Sequence, residues 1–231
     1  MTLRSPIPSV IGIACLLACA GAHAGRPMVV DDATIVDPGA CQLEAWTQRP
    51  QGQDELWAVP ACRVGAWELG LGLGRIWPDA SDAYHLHALH AKTVFRPLQP
   101  NGWAVGLTIA DQYRFGSSLA GDVTVLVPLT VSLLDDRVRV HANAGWTRLH
   151  ATRQSGALWA LGSEWAAAGP LTLTLETYGF QRGHHYAQAG LSVQAIPDRL
   201  ALDAGVGQRL GHGGLERYAT VGLTWALPGL Y

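Results

Sequence analysis

Glu44, Glu68, Lys92, Arg139, His141, Glu164, Glu176 and Asp203 are the residues of this chain whose types suggest chemistry, and they share one face of alternating segments. Ionisable groups on a confined face must be paired or hydrated. Three uses follow: a salt-bridged interior that stays shut, a polar path for a small solute, or an acid–base pair. Glu164 and Glu176, on adjacent segments, could balance Lys92 and Arg139. His85, His87 and His90 look like a metal cluster until strand alternation is applied, which puts His85 and His87 on one face and His90 on the other. With no further ligand at a telling spacing, neither a metal site nor a cofactor is expected. His184, His185 and His212 fall in connections, where solvated histidines are the simpler account. Ser163, beside Glu164, or Ser192 could serve a hydrolase only if a histidine and a carboxylate converged on it, and neither sits in a recognisable motif.

The elements that must position these groups are legible from bulk features. Residues 1–24 carry one arginine, an apolar stretch from Val10 to Ala20 and Ala22-His23-Ala24 before Gly25, the pattern of a cleaved export signal. A lipoprotein site at Cys19 is the alternative. Removing the leader leaves 15 basic against 18 acidic groups, a balance that favours no nucleic acid. Charged residues are 15% of the chain, against about 25% in a typical soluble domain. Yet after the leader there is no run of about 18 apolar residues, so a spanning helix is excluded. Low charge, 27 glycines and nine tryptophans without such a helix point to strands in a membrane.

From residue 41 onward, segments of about ten residues alternate with turn signals, the spacing of membrane barrel strands. They are 41–48, 55–62, 67–75, 84–95, 103–113, 122–131, 138–148, 157–165, 171–180, 186–195, 200–208 and 217–227. One face is apolar throughout, as in Trp67, Leu69, Leu71 and Leu73 or Ala219, Val221, Leu223 and Trp225. The other is small and polar and holds the ionisable set. A soluble sandwich would need its outer face dense in charge, whereas this second face suits a crowded barrel interior. Gly70, Gly72 and Gly74 in WELGLGLGR then make room where inward side chains converge; they do not have the spacing of a dinucleotide fingerprint. Connections after even segments are short and those after odd segments longer or richer in Gly and His, which places both termini in the periplasm. Trp67, Trp103, Trp146 and Trp225, at segment ends, fit an interfacial aromatic girdle.

Centring the first hairpin on Gln51-Gly52 sets Cys41 opposite Cys62 and Trp46 opposite Trp57, two pairs agreeing on one register. Cys15 and Cys19 leave with the leader, so in an oxidising compartment Cys41 and Cys62 are expected to form a structural disulfide. Ten strands would result if this hairpin folded instead as a plug or cap.

GRPMVVDDATIVDPGACQLEAW, VPACRVGAWELGLGLG, HALHAKTVFRPL, VHANAGWTR, WALGSEWA, LETYGF and GLSVQAIPDRLALDAGVG resemble, in order, the outer-membrane transporter family named for the meta-pathway of phenol degradation. The resemblance implies an outer-membrane β-barrel; its link to aromatic compounds lies in the family's name alone and rests on genomic association, and no catalytic residue is carried over. The chain departs from a usual barrel end, since Pro228-Gly229 separates Tyr231 from the last segment. The expectation is an all-β, closed, antiparallel, up-and-down barrel of about twelve strands in the bacterial outer membrane. A periplasmic segment, residues 25–40, precedes the barrel, residues 41–231. Its lumen path consists of Glu68, Lys92, Arg139, His141, Glu164, Glu176 and Asp203. Its partners are the lipid bilayer, the barrel assembly machinery and a small, aromatic solute moving passively. A closed structural or adhesive barrel acting through its outside loops is the rival reading, and a lipid-modifying enzyme the third.

Overall fold

The computed structural model describes residues 28–116, 121–181, 184–211 and 216–229. The leader, His212 and Tyr231 lie outside them. The described residues form twelve antiparallel strands in one closed barrel. They are β1 (Cys41–Arg49), β2 (Gln53–Val64), β3 (Trp67–Pro78), β4 (Tyr84–Arg96), β5 (Trp103–Arg114), β6 (Asp122–Leu133), β7 (Val138–Arg148), β8 (Ser155–Ala168), β9 (Leu171–Phe180), β10 (His185–Ile196), β11 (Leu200–Arg209) and β12 (Arg217–Leu227). Each pairs with its neighbour in sequence, and β1 closes on β12 from Cys41↔Leu227 to Arg49↔Ala219. Closure leaves no unpaired sheet edge, the condition for a wall that faces hydrocarbon.

The alternation expected from sequence is the alternation observed. Leu69, Leu71 and Leu73 are 47%, 38% and 43% exposed on the outside, while Glu68, Gly72, Gly74 and Ile76 between them are buried toward the lumen. Outward charges fall at strand ends: Arg49, Asp54, Arg75, Arg148 and Arg217 on the side of the longer connections, here called the loop side, and Arg96 on the opposite side. Trp67, Trp103 and Trp225 are exposed at strand ends on the opposite, turn side, and Trp146 is exposed near the loop-side end of β7. Arg96 stacks 3.9 Å above the Trp103 ring. Bulges at Val94/Arg96, Ala166/Ala168 and Gln194/Ile196 all lie at the turn-side rim, where a barrel wall bends.

The first hairpin belongs to the wall. Cys41 faces Cys62 and Trp46 faces Trp57, in the register read from the sequence. The disulfide is formed, with S–S 2.01 Å and Cα–Cα 4.0 Å, and Trp46 stacks on Trp57 with ring centroids 5.8 Å apart. Gly65, at φ +62°, supplies the left-handed residue that the tight β2–β3 turn requires.

The inward glycines have a more specific role than general crowding. A Cβ on Gly70 would overlap the His90 imidazole, one on Gly74 would sit 2.7 Å from the Trp57 ring, and one on Gly207 would overlap the Tyr218 ring. Each is a flat berth for an aromatic side chain of the neighbouring strand.

One placement differs from the sequence reading. Residues 28–40 were expected outside the barrel, in the periplasm; they run inside it. The chain threads through the lumen toward the turn side, reverses at Asp37-Pro38-Gly39-Ala40, and enters β1. Ala40 N–H donates to Asp37 O at 3.0 Å and Gly39 has φ +74°, the geometry that a Pro-Gly pair favours at a turn centre. Eight-stranded barrels fill with side chains while sixteen-stranded ones leave a water channel. A twelve-stranded lumen lies between, with room for one extended chain.

Candidate functional site

The site is the contact between this inner segment and the wall. Residues 28–36 make no backbone–backbone hydrogen bond among the described residues; wall side chains meet their main-chain groups instead. The Glu176 carboxylate of β9 accepts from Val29 N–H at 2.8 and 2.9 Å and from Val30 N–H at 2.8 Å. Asn143 of β7 accepts from Asp31 N–H at 2.7 Å and donates back to Asp31 C=O at 2.7 Å. Thr130 of β6 accepts from Ala33 N–H, and Glu68 of β3 from Val36 N–H, each at 2.8 Å. Arg63 of β2 donates to Val36 C=O at 3.3 Å.

Charge holds the middle of the segment. Lys92, the only lysine of the sequence, places its Nζ 2.6 Å from Asp31 and 2.7 Å from Asp32. Thr108 donates to the other oxygen of Asp31 at 2.7 Å. Burial by itself would raise the pKa of Asp32; the Lys92 ammonium and hydrogen bonds from Lys92 and Thr34 outweigh it and hold the carboxyl below its ordinary value. At the tip of the segment, Met28 and Val30 pack with Ala160 and Tyr178. They occupy the space that a Cβ on Gly162 would fill.

The residues expected to line a lumen path are all inside, but their partners differ. Glu176 does not balance Lys92 or Arg139: it takes main-chain N–H groups, and Lys92 takes the two aspartates. The reason is that the segment supposed to lie outside brings its own charges. Glu164 lies 3.8 Å from His141 Nε2, and His141 Nδ1 is 2.9 Å from Thr130 Oγ1. Arg139 is directly opposite Glu164 in the ladder, yet it forms no ion pair or hydrogen bond among the described residues, and its Nε is buried. Asp203 is buried on β11. Ser163 and Glu164, neighbours in sequence, point to opposite sides of the wall and do not form one site.

Sequence reasoning put Thr108 and Asn143 on the inward face but gave them no partner, and it missed Asp31, Asp32, Arg63 and Thr130. A sole lysine on an inward face rich in carboxylates, with an unassigned Asp-Asp upstream, was the available signal. It also missed the inward aromatics of the loop-side half. There, beside the expected Trp46–Trp57 pair, Tyr178 stacks on Tyr186 at 5.4 Å, and Tyr218 bridges Tyr178 and Gln188 with bonds of 2.6 and 2.7 Å. The inward tryptophans and tyrosines thus gather in the loop-side half, which also holds Glu55 and the Arg209–Glu216 ion pair, while Glu68, Lys92 and Arg139 lie toward the turn side. A cavity of about 610 Å³ runs beside the segment on the turn side, lined by Glu44, Glu68, His90, Lys92 and Arg139 among others.

A family model described as "Uncharacterised conserved protein UCP029691" matches residues 12–227. The chain is a member of this family. No curated protein matches it. Among solved structures, this UCP029691 member resembles the KdgM porin with TM-score 0.62 at 10% identity, over 80% of this chain and 98% of the porin. It resembles the NanC porin with TM-score 0.62 at 9% identity, over 79% and 98%. A KdgM porin in complex with disordered oligogalacturonate aligns with TM-score 0.59 at 10% identity, over 80% and 98%. At such identities the shared property is the fold, a twelve-stranded barrel of the outer-membrane porin type. What stands of the phenol-degradation resemblance is likewise the barrel.

Proposed function

We propose that this protein is an outer-membrane channel for a small solute whose lumen its own N-terminal segment holds shut. The observation that carries this reading is the way the segment is held. It is no thirteenth strand: side chains of several wall strands grip it, and it can leave without breaking the barrel ladder. A permanently filled barrel would be expected to close its lumen with wall side chains, as smaller barrels do. The apolar outer face, the exposed tryptophans at strand ends and the porin-type fold support placement in the outer membrane, after export through a cleaved leader and insertion by the barrel assembly machinery. The short connections then face the periplasm. The inward aromatics of the loop-side half support the aromatic solute to which the resembling family's name points, since their faces suit a planar guest.

Planar-bilayer recordings test the reading. The intact protein is expected to be mostly silent, and a variant lacking residues 28–36, its folding checked by heat-modifiable gel mobility, to conduct in discrete steps. A folded deletion variant that passes no current would refute the channel. It would favour the closed structural barrel, for which occlusion of the lumen by the segment is the specific support.

A further inference from the structure

The contacts that hold the inner segment are also a description of what the lumen recognises. An inert stopper is secured well enough by apolar packing, but this wall addresses a peptide backbone group by group. Glu176 takes two consecutive N–H groups, Asn143 takes the N–H and C=O of one residue, and Thr130 and Glu68 take further N–H groups at residues 33 and 36. Side-chain requirements accompany them. Gly162 leaves a hollow for apolar residues at 28 and 30, Lys92 takes carboxylates at 31 and 32, and Ala33 is 0% exposed, so the place accepts only a small side chain.

Arg139 extends this pattern beyond what the segment uses. It follows His141 by one inward step toward the turn side and is opposite Ser132 in the ladder. Thr130, one inward step from Ser132, holds residue 33. Arg139 also lines the cavity beside the segment, and its buried Nε has no hydrogen-bond partner among the described residues. A free peptide ending near position 33 or 34 would differ from the segment there in one respect: it would carry a terminal carboxylate, which a guanidinium binds with charge-assisted hydrogen bonds.

We infer that the turn-side lumen is a binding site for short acidic peptides in extended conformation, with Arg139 reading the carboxy terminus and residues 28–36 acting as the competing ligand in cis. This rests on the channel reading for its role as a cargo site, and it names a different cargo class from the aromatic one.

The test uses the full-length chain carrying Asp31→Asn and Asp32→Asn, which loosens the segment while keeping it in place. The probe is Met-Val-Val-Asp-Asp-Ala, as free acid and as carboxy-terminal amide. Calorimetry in detergent reads binding, and bilayer recording reads passage or block, so a silent barrel that still binds peptide separates the two readings. The acid is expected to bind about tenfold or more tightly than the amide, the value of one charge-assisted bond. Adding Arg139→Gln should erase that difference. Asn143→Ala should weaken both forms. Absence of binding, equal binding of a scrambled peptide, or an acid preference that survives Arg139→Gln would overturn the proposal. Phenol binding at the same place with comparable affinity would do so too, in favour of the aromatic cargo.

Discussion

Replacing Lys92 with methionine should unseat the inner segment while leaving the barrel intact. The Lys92 side chain is 9% exposed, and its partners Asp31 and Asp32 are 25% and 11% exposed. Without the ammonium, Asp31 and Asp32 lose the one cation that forms an ion pair with them among the described residues. Removing one partner of such a buried pair costs about 3–5 kcal/mol. At about 1.4 kcal/mol per tenfold, the closed-to-open ratio should fall by two to three powers of ten. Because the lost contacts join segment to wall, and not strand to strand, the denaturation midpoint of the barrel should move little. Open probability in planar bilayers at neutral pH reads the shift. Thr108→Val, which removes one hydrogen bond, should change it about fivefold, the value of about 1 kcal/mol. Combining Lys92→Met with Asp31→Asn and Asp32→Asn removes the ammonium together with both carboxylates hydrogen-bonded to it and should restore part of the closure, since a neutral replacement of a buried ion pair is often tolerated. A Lys92→Met protein whose open probability stays within a few-fold of wild type, or a triple variant more open than the single one, would refute the latch.

Gly162→Val should push Met28 and Val30 from their hollow and expose the segment to added protease from the turn side; unchanged cleavage would count against that packing. Reducing Cys41–Cys62 should lower unfolding stability by about 3 kcal/mol, on the loop-entropy account of a closed loop of this length, without changing conductance. Acid should open the channel late. Asp32 titrates below its ordinary value of 3.8, so its contribution to closure is complete above that value and is lost as pH falls through the lower, folded one. Open probability recorded from neutral pH downward should therefore rise from this source only below about pH 4.

The wall was legible because its rules are local. An outward apolar face and an inward small or polar one repeat at period two along every strand, and one register satisfies both Cys41–Cys62 and Trp46–Trp57 at once. The role of Gly70, Gly74 and Gly207 was half legible: crowding followed from position, while the His90, Trp57 and Tyr218 rings they make way for belong to neighbouring strands. The inner segment was not legible. Its residues obey no period, because they pair with no strand, and the partners of Asp31 lie on β4, β5 and β7, far away in sequence. An extended stretch whose hydrogen bonds, the local Asp32–Thr34 pair apart, go to distant side chains looks, from sequence alone, like a tail in solvent.

The reversal at Asp37-Pro38-Gly39-Ala40 puts the gatekeeper on a short leash. Residues 28–36 span at most about 30 Å when stretched, so once dislodged they stay beside the mouth at an effective concentration in the millimolar range. Any visitor from solution must outbid a rival that never diffuses away, and the neighbouring Cys41–Cys62 bond keeps the anchoring hairpin together each time the rival returns. On the proposed channel reading, such a doorway answers to abundance: it ignores traces of its guest and yields when supply is plentiful.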